Sequence, residues 1–180
     1  MTTDTSHARP WPLLILLLAL LVVPLVYLFV YVGGFDRLAE ARQPRGPAYA
    51  FQAPKLGGGE IALADYRGRP VVLNFWASWC PPCRAEAPDF QRVWQAYQSQ
   101  GIVFLGVDVS DGEAAALAYV RDYGITYPSV VDTRNDISTA YGATSLPTTV
   151  FINQDGLVVG KRVGPMSEGQ LVARVEELLR

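Results

Sequence analysis

Hydrophobic residues are concentrated near the start of the 180-residue chain. Residues 13–32 form a run of 20 positions without a charged side chain. At about 1.5 Å per residue, a helix of that length spans about 30 Å, the thickness of a bilayer core. Trp11 before the run and Tyr27 and Tyr31 at its end have the positions of an interfacial aromatic belt. The pattern predicts one transmembrane helix at residues 13–32, after a short leader at residues 1–12.

A cleaved signal peptide is the alternative interpretation of this run. The apolar core of a signal peptide usually has about 7 to 15 residues and ends at a small-x-small cleavage site. Here the run is longer, and the pair Ala39 and Ala41 lies several residues downstream of it. The length favours an uncleaved anchor.

Positive charges around the run do not decide its orientation. The leader carries Arg9, whereas the far side carries Arg37, Arg42 and Arg45. Arginine counts alone place the C-terminal side in the cytoplasm. Long domains are often translocated regardless of flanking charge, so the count leaves the orientation open.

The rest of the chain divides into a linker and one domain. Residues 33–48 are polar and rich in Gly, Pro and Arg, which is typical of a tether. Residues 49–180 have the length of a single α/β domain. We therefore predict one folded domain at residues 49–180, joined to the apolar run by the linker.

Within this domain, short apolar runs alternate with amphipathic segments. Residues 71–75 form a continuous apolar, β-branched run, as in a buried strand. Residues 81–99 carry apolar side chains at helical spacing. The other predicted elements are strands at residues 60–63, 102–109, 129–131, 149–153 and 157–163, and helices at residues 113–123, 137–141 and 168–179. This order predicts an α/β fold with a mixed central sheet and helices on both faces.

Composition excludes several functional classes. The net charge of −2 does not suit a nucleic-acid surface, which needs a basic excess. A hydrophobic content of 50% rules out a disordered chain, and two cysteines are too few for a disulfide-stapled miniprotein. The single histidine, His7, lies in the leader. Mechanisms that need a histidine base or ligand in the domain are excluded, including most zinc enzymes, and we predict no metal site.

The motif WCPPC, at residues 79–83, lies between a predicted strand and a predicted helix. Two thiols at this spacing can close a disulfide ring with little backbone movement. Cys80 would sit at the positive end of the helix dipole, which stabilises its thiolate. We expect Cys80, the more exposed thiol, to attack a substrate disulfide, and Cys83 to resolve the mixed disulfide. Two structural cysteines adjacent by chance are the alternative.

Three segments together resemble one known family. They are VVLNFWASWCPPC at residues 71–83, RAEAP at residues 84–88 and SLPTT at residues 145–149. They are similar to the thioredoxin superfamily and, within it, to the membrane-anchored TlpA/ResA/CcmG-like thiol-disulfide oxidoreductases. The resemblance covers residues 49–180 and implies a thioredoxin-like fold with extra N-terminal strands. It also implies a single-pass protein of the bacterial cytoplasmic membrane with an extracytoplasmic domain, which decides the orientation that the charges leave open.

The resemblance also implies where substrate binds. Pro147 matches the family's cis-proline facing the disulfide, and the backbone of Leu146 would pair with a substrate chain like an added strand. An ordinary trans proline at a strand start is the alternative. Trp79 offers apolar surface beside the thiol, and Pro81 completes the expected substrate-binding set.

Glu86 follows Cys83 by three residues, so the two side chains are neighbours on one helix. From the residues alone, Glu86 is best interpreted as a solvated surface group. The resemblance matches it to the acidic residue of ResA-like active sites, where a carboxylate could accept the Cys83 proton. Asn74 stands where thioredoxins have a buried aspartate. Because asparagine cannot transfer a proton, Glu86 is the leading candidate for the base.

The resemblance implies a reductase for disulfides of exported proteins. Its leading substrate would be apocytochrome c before haem attachment, in cytochrome c maturation. The sequence has no Gly-rich dinucleotide fingerprint or flavin site, so we predict no cofactor. Electrons would then come across the membrane from a thiol-transferring protein of the CcdA/DsbD type.

Other functions use the same sulfurs or the same fold. An extracytoplasmic disulfide oxidase or isomerase would differ only in potential and partner. A copper metallochaperone would bind a soft ion through two thiols, although carriers of this fold use wider cysteine spacing and a histidine. A peroxiredoxin-type peroxidase has a lone cysteine after a Pro-x-x-x-Thr-x-x pattern, which the sequence lacks.

Overall fold

A computed structural model of the chain describes residues 11–31 and 46–180. Helix α1 runs from Trp11 to Tyr31 and contains Pro24, and its large apolar side chains from Leu14 to Val30 are exposed. Within the described residues, no helix combines the length and apolar character that crossing a membrane requires. The predicted span at residues 13–32 therefore stays a prediction.

Parts of the predicted N-terminal organisation lie outside the described residues. These parts are residues 1–10 of the leader, with His7 and Arg9, and residues 32–45, which hold most of the linker with its arginines and the Ala39 and Ala41 pair. The folded domain is described from Gly46 onward.

The domain contains the predicted strands and helices, with ends within one or two residues of the predicted ones. Its strands are β1 (Gly46–Pro47), β2 (Gln52–Pro54), β3 (Glu60–Ala62), β4 (Val71–Trp76), β5 (Val103–Val109), β6 (Ser129–Asp132), β7 (Thr148–Ile152) and β8 (Leu157–Val163). Its helices are α2 (Pro81–Tyr97), α3 (Glu113–Asp122), α4 (Asp136–Ala140) and α5 (Glu168–Leu178), with 3₁₀ turns at Leu63–Tyr66 and Gln98–Gln100.

The central sheet is mixed, as predicted. Its strand order is β1-β8-β7-β4-β5-β6, with β4, β5 and β6 parallel to one another. Strands β7 and β8 form an antiparallel hairpin, and β7 lies antiparallel to β4. The carboxyl end of β4 thus lies beside the start of β7, because Phe75 pairs with Thr148. This juxtaposition brings two distant parts of the sequence together at one edge of the sheet.

The folded unit begins earlier than the sequence indicates. Gly46 and Pro47 pair with Val158 and Leu157 of β8, so these two residues belong to the sheet and not to the predicted linker at residues 33–48. A two-residue strand is too short to leave a hydrophobic pattern. Strands β2 and β3 form a separate antiparallel pair, which supplies the N-terminal strands implied by the family resemblance.

The two faces of the sheet pack against different elements. Alternation along β4 places Val72 and Trp76 on one face and Leu73 and Phe75 on the other. The first face is covered by α2, α3 and α5, and the second by α4 and the β2–β3 pair. The sheet is therefore covered on both sides, and the cysteine motif belongs to the face that carries Trp76.

Candidate active site

The two cysteines form a disulfide where β4 passes into α2. The loop after β4 turns at Ala77, whose carbonyl accepts the Cys80 N–H at 3.1 Å. Cys80 is the N-cap residue of α2 and Cys83 lies in its first turn, with 5.3 Å between the two Cα atoms. The pairing predicted from the CxxC spacing is confirmed.

The sulfur of Cys80 caps the helix. The backbone N–H of Cys83 donates to the Cys80 Sγ at 3.3 Å. An N-cap side chain accepts from the second or third residue of a helix, which here are Pro82 and Cys83. Because proline has no N–H, Cys83 supplies the one donor of this turn that reaches the sulfur. A thiolate at Cys80 would thus receive a single backbone hydrogen bond from α2.

Both cysteines are more buried than the sequence indicates. Cys80 is 3% exposed and Cys83 is completely buried, so the predicted order of exposure holds by a small margin. Cys80 packs with Trp76 and Ala77 in the core cluster of its face. The exposed surface of the motif is provided by Trp79, at 57% exposure, and by Pro81. The Cys80 residue is therefore nearly covered, whereas the indole ring of the neighbouring Trp79 is exposed.

Hydrogen bonds with two different elements hold the residues just before Cys80 in place. The Ser78 N–H donates to Asp111 Oδ2 at 2.6 Å, and the Ser78 carbonyl accepts from Arg84 Nε at 2.6 Å. The indole N–H of Trp79 donates to the Ser110 carbonyl at 3.4 Å. These partners come from the loop after β5 and from α2. No sequence pattern pointed to the 110–111 loop as part of the site.

Glu86 is a buried group and not a solvated one. It is 4% exposed on the inner side of α2. Its Oε1 accepts from Asn74 Nδ2 at 3.1 Å, and its Oε2 accepts from the Met166 N–H at 3.0 Å. Asn74 in β4 also donates to Thr149 Oγ1 at 3.2 Å. Asn74, which cannot transfer a proton, therefore positions the carboxyl group of Glu86, which can.

The environment of Glu86 tunes its protonation. Burial raises its pKa from 4.5 to about 7, and the negative charge of Asp89 acts in the same direction. The hydrogen bonds from Met166 and Asn74 oppose this shift, because they favour the ionised form. A carboxyl group with a pKa near 7 can both take up and release a proton near neutral pH.

Tyr119 ties α3 to the cysteine turn. Its hydroxyl donates to the Cys83 carbonyl at 3.0 Å, and its ring stacks on Trp76 with 4.3 Å between ring centroids. Burial and the nearby Glu86 raise its pKa well above its ordinary value, so it remains a neutral donor. Tyr119 and Cys83 are 36 positions apart in the chain, so no local sequence pattern indicates this contact.

The Leu146–Pro147 peptide bond is cis, as the family resemblance implies. Pro147 is buried at the start of β7, and its carbonyl accepts from the Gly164 N–H at 2.9 Å. Leu146 is partly buried and packs against both core clusters, one of which contains the two cysteines. The pairing of β7 with β4 thus brings this segment to the edge of the sheet where the disulfide lies.

Comparison with known proteins places this geometry in a family. Residues 44–161 match the AhpC/TSA family model. The thiol-disulfide oxidoreductase ResA of Halalkalibacterium halodurans is 35% identical over 165 residues, which cover 91% of this chain and 92% of that protein. A thiol:disulfide interchange protein of the thioredoxin family from Chlorobium tepidum has a similar structure, with 30% identity and a TM-score of 0.70 over 77% of this chain and 99% of that one.

A secreted disulfide oxidoreductase of Mycobacterium tuberculosis is also similar in structure. It has 32% identity and a TM-score of 0.65, over 71% of this chain and 96% of that one. The similarity covers the domain that carries the disulfide, the cis-proline and the buried glutamate. Fold, cysteine pair and relatives agree on dithiol–disulfide exchange as the chemistry. The chain belongs to the AhpC/TSA family of thioredoxin-fold proteins and is a thiol-disulfide oxidoreductase related to ResA.

Proposed function

We propose that this oxidoreductase works as a reductase of protein disulfides. The observation that carries the proposal is the helix cap, because Cys80 Sγ accepts one backbone N–H where a residue other than Pro82 would provide a second. Stabilising the thiolate makes a dithiol a weaker reductant. Because the Cys80 thiolate has few hydrogen-bond donors, the dithiol favours reducing the disulfides of substrate proteins, called clients below, over oxidising their thiols.

The exchange proceeds in two steps. The Cys80 thiolate attacks one sulfur of a client disulfide, forms a mixed disulfide and expels the other client sulfur as a thiolate. Cys83 then loses its proton, attacks the Cys80 sulfur and expels the second client thiolate. The client gains two electrons, and the chain is left with the Cys80–Cys83 disulfide that the structure contains.

Glu86 is proposed to accept the proton of Cys83 during the second step. It lies one turn after Cys83 on α2, buried, with a pKa of about 7. Asn74 and Met166 hold both of its oxygens in place. This function would make resolution of the mixed disulfide depend on the ionised form of Glu86.

The substrate-binding surface is proposed to combine exposed and backbone groups. Trp79 and Pro81 are exposed at the start of α2 and provide apolar contact. The backbone of Leu146, before the cis-proline Pro147, would pair with an extended client segment. We further propose apocytochrome c as the substrate class, in cytochrome c maturation, and a CcdA/DsbD-like membrane protein as the electron donor. The family resemblance of the motifs at residues 71–88 and 145–149 supports this assignment.

We also propose that residues 13–32 anchor the domain to the outer side of the bacterial cytoplasmic membrane. The support is the uncharged sequence run and the exposure of its apolar side chains in α1. The similarity to a secreted disulfide oxidoreductase is consistent with a domain outside the cytoplasm. Carbonate extraction of membranes tests the anchor, because an integral span stays in the pellet. Protease treatment of intact spheroplasts tests the side, and protection of the domain would contradict the proposal.

The direction of electron flow is tested by the reduction potential together with client trapping. We expect a potential near the thioredoxin value of about −270 mV and far from the DsbA value of about −120 mV. A Cys83→Ser variant should accumulate mixed disulfides through Cys80, whereas Cys80→Ser should not. A potential near that of DsbA would support an oxidase instead. Turnover that depends on peroxide would support the peroxidase alternative.

A further inference from the structure

A second buried carboxyl group, Asp108, lies on the same face of the sheet as the disulfide. In the parallel register of β4 and β5, it is the partner of Trp76. Alternation along β5 places it on the side of Phe104, under α2 and α3. The residue is completely buried, and in the part of the chain that the structure describes no donor group bonds to either carboxyl oxygen. Such a group calls for a physical explanation, because buried polar atoms are normally paired.

The group that acts on Asp108 is the carboxylate of Asp111, three residues further on. Burial, the negative charge of Asp111 and hydrogen bonding to Asp111 together raise the pKa of Asp108 from 3.8 to about 7. The other titratable groups on this side are the two cysteines, Glu86 of α2, and the tyrosines Tyr97, Tyr119, Tyr123 and Tyr127. Two ionised carboxylates only accept hydrogen bonds, so Asp108 can bond to Asp111 only when one of them carries a proton.

Asp111 in turn holds residues 77–80, the loop between β4 and α2 that is called the redox loop below. Its Oδ2 accepts the Ser78 N–H at 2.6 Å and its Oδ1 accepts the Gly112 N–H at 2.9 Å. Ser78 lies two residues before Cys80 and one before Trp79. Ser110, which precedes Asp111 in the loop after β5, has a φ of +51°, and its carbonyl accepts the Trp79 indole N–H. A left-handed conformation at a serine is uncommon and is kept here by surrounding contacts.

We propose that Asp108 is a positioning residue for the redox loop. Its protonated carboxyl group donates to Asp111, and this bond fixes the Asp111 carboxylate under the Ser78 N–H. When Asp108 loses its proton, the two carboxylates repel each other and the contact with Ser78 weakens. The loop then holds Cys80 less tightly. Cys80 is only 3% exposed in the structure, so loosening the loop makes its sulfur easier to attack.

The Ser78 amide proton is the direct reporter of this coupling. We would record its chemical shift between pH 5 and pH 9 by NMR, using the full chain in detergent micelles with the disulfide intact. Cysteines in a disulfide do not titrate, so neither sulfur contributes a transition in this range. We expect a transition near pH 7 in the wild type and in Glu86→Gln. In Asp108→Asn it should vanish, because the amide keeps a donor toward Asp111 at every pH.

A second variant keeps the test decisive if Asp108→Asn does not fold. Asp111→Asn retains an oxygen for the Ser78 N–H but removes the charge that faces Asp108. The Ser78 transition should then move to lower pH. A wild-type shift that does not change with pH would overturn the proposal. So would a transition that persists in Asp108→Asn, or one with the same midpoint in Asp111→Asn.

The effect on exchange is measured in the Glu86→Gln background, where Glu86 no longer titrates. The rate of reduction of the disulfide by dithiothreitol is divided at each pH by the thiolate concentration of the reagent. Between pH 6 and pH 8, the ionised fraction of a group with a pKa near 7 rises about tenfold. We expect the corrected rate to rise several-fold, up to this limit, and to stay constant in Glu86→Gln/Asp108→Asn. Equal pH dependence in the two variants would show that Asp108 has only a structural role.

Discussion

The Asn74 side chain donates a hydrogen bond from Nδ2 to Oε1 of Glu86 and thereby joins the central strand of the sheet to the helix that carries both cysteines. The bond is buried and favours the ionised carboxylate, so it opposes the upward shift in pKa that burial causes. One amide thus affects both the position and the acidity of the proposed base.

Asn74→Ala should raise the pKa of Glu86 above about 7, because a donor to the charged form is lost. A hydrogen bond to a charged group is worth about 1.5 kcal/mol or more, which corresponds to roughly one pKa unit. The pH profile for release of a client from its mixed disulfide with Cys80 should move to higher pH by about that amount. Thr149→Val is the matched control, since it removes the other acceptor of Asn74 and leaves the bond to Glu86. Equal profiles for wild type and Asn74→Ala would contradict the proposed function of Glu86.

Pro82→Ala should make the dithiol more oxidising. It restores an N–H at the second helical position, within reach of the Cys80 sulfur. One added hydrogen bond to the thiolate, at about 1.5–3 kcal/mol, corresponds to a rise of about 30–60 mV in potential. Pro81→Ala restores an N–H at the first position, which does not reach a cap side chain, so its potential should stay near the wild-type value. Glutathione redox titrations would measure both, and equal shifts in the two variants would count against the cap mechanism.

The stability of the domain should decrease as pH rises from 5 to 8. Glu86 and Asp108 have pKa values of about 7 in the folded state, above their ordinary values of 4.5 and 3.8. Within that window the folded state binds more protons than the unfolded state, so the free energy of unfolding falls with pH and levels off above about 7. Urea denaturation of the oxidised protein would show this, and Glu86→Gln should reduce the slope. A rise in stability over the same range would be inconsistent with these shifts.

Gly106→Ala should destabilise the fold by about 1–3 kcal/mol through overpacking. A methyl group at Gly106 would lie 2.2 Å from Ser129 Oγ and 2.7 Å from Trp76 Nε1, which is too close without movement of the indole that stacks on Tyr119. Gly169→Ala is the control, since it meets no neighbour within 4 Å and should not destabilise. Thermal unfolding would measure the difference, and equal melting temperatures would disprove the packing argument.

Much of the fold is readable from the sequence because its elements are long and strongly patterned. The continuous apolar run at residues 71–75 predicts strand β4. The helical spacing of apolar side chains in residues 81–99 predicts helix α2. The hydrophobic pattern does not predict the short strands β1 and β2, because two or three residues define no period. Their pairing depends on distant partners.

The site was only partly predictable for a related reason. Cys80, Cys83 and Glu86 lie within seven residues of chain, so a motif and a helical spacing place them together. The contacts of Asn74 with Glu86 and of Asp111 with Ser78 span 12 and 33 residues. Such contacts depend on strand register, which the hydrophobic pattern does not specify. For the same reason Glu86 could be interpreted from its own segment as a solvated group.

The sheet divides its buried residues unequally between its two faces. The face under α2 holds Asn74, Glu86 and Asp108 together with both cysteines, whereas the core cluster on the opposite face contains neither cysteine. Aliphatic replacements of similar volume on that opposite side should therefore be tolerated without loss of turnover. A library built there could raise heat resistance while leaving redox behaviour as it is, which makes that side the natural starting point for engineering a sturdier enzyme.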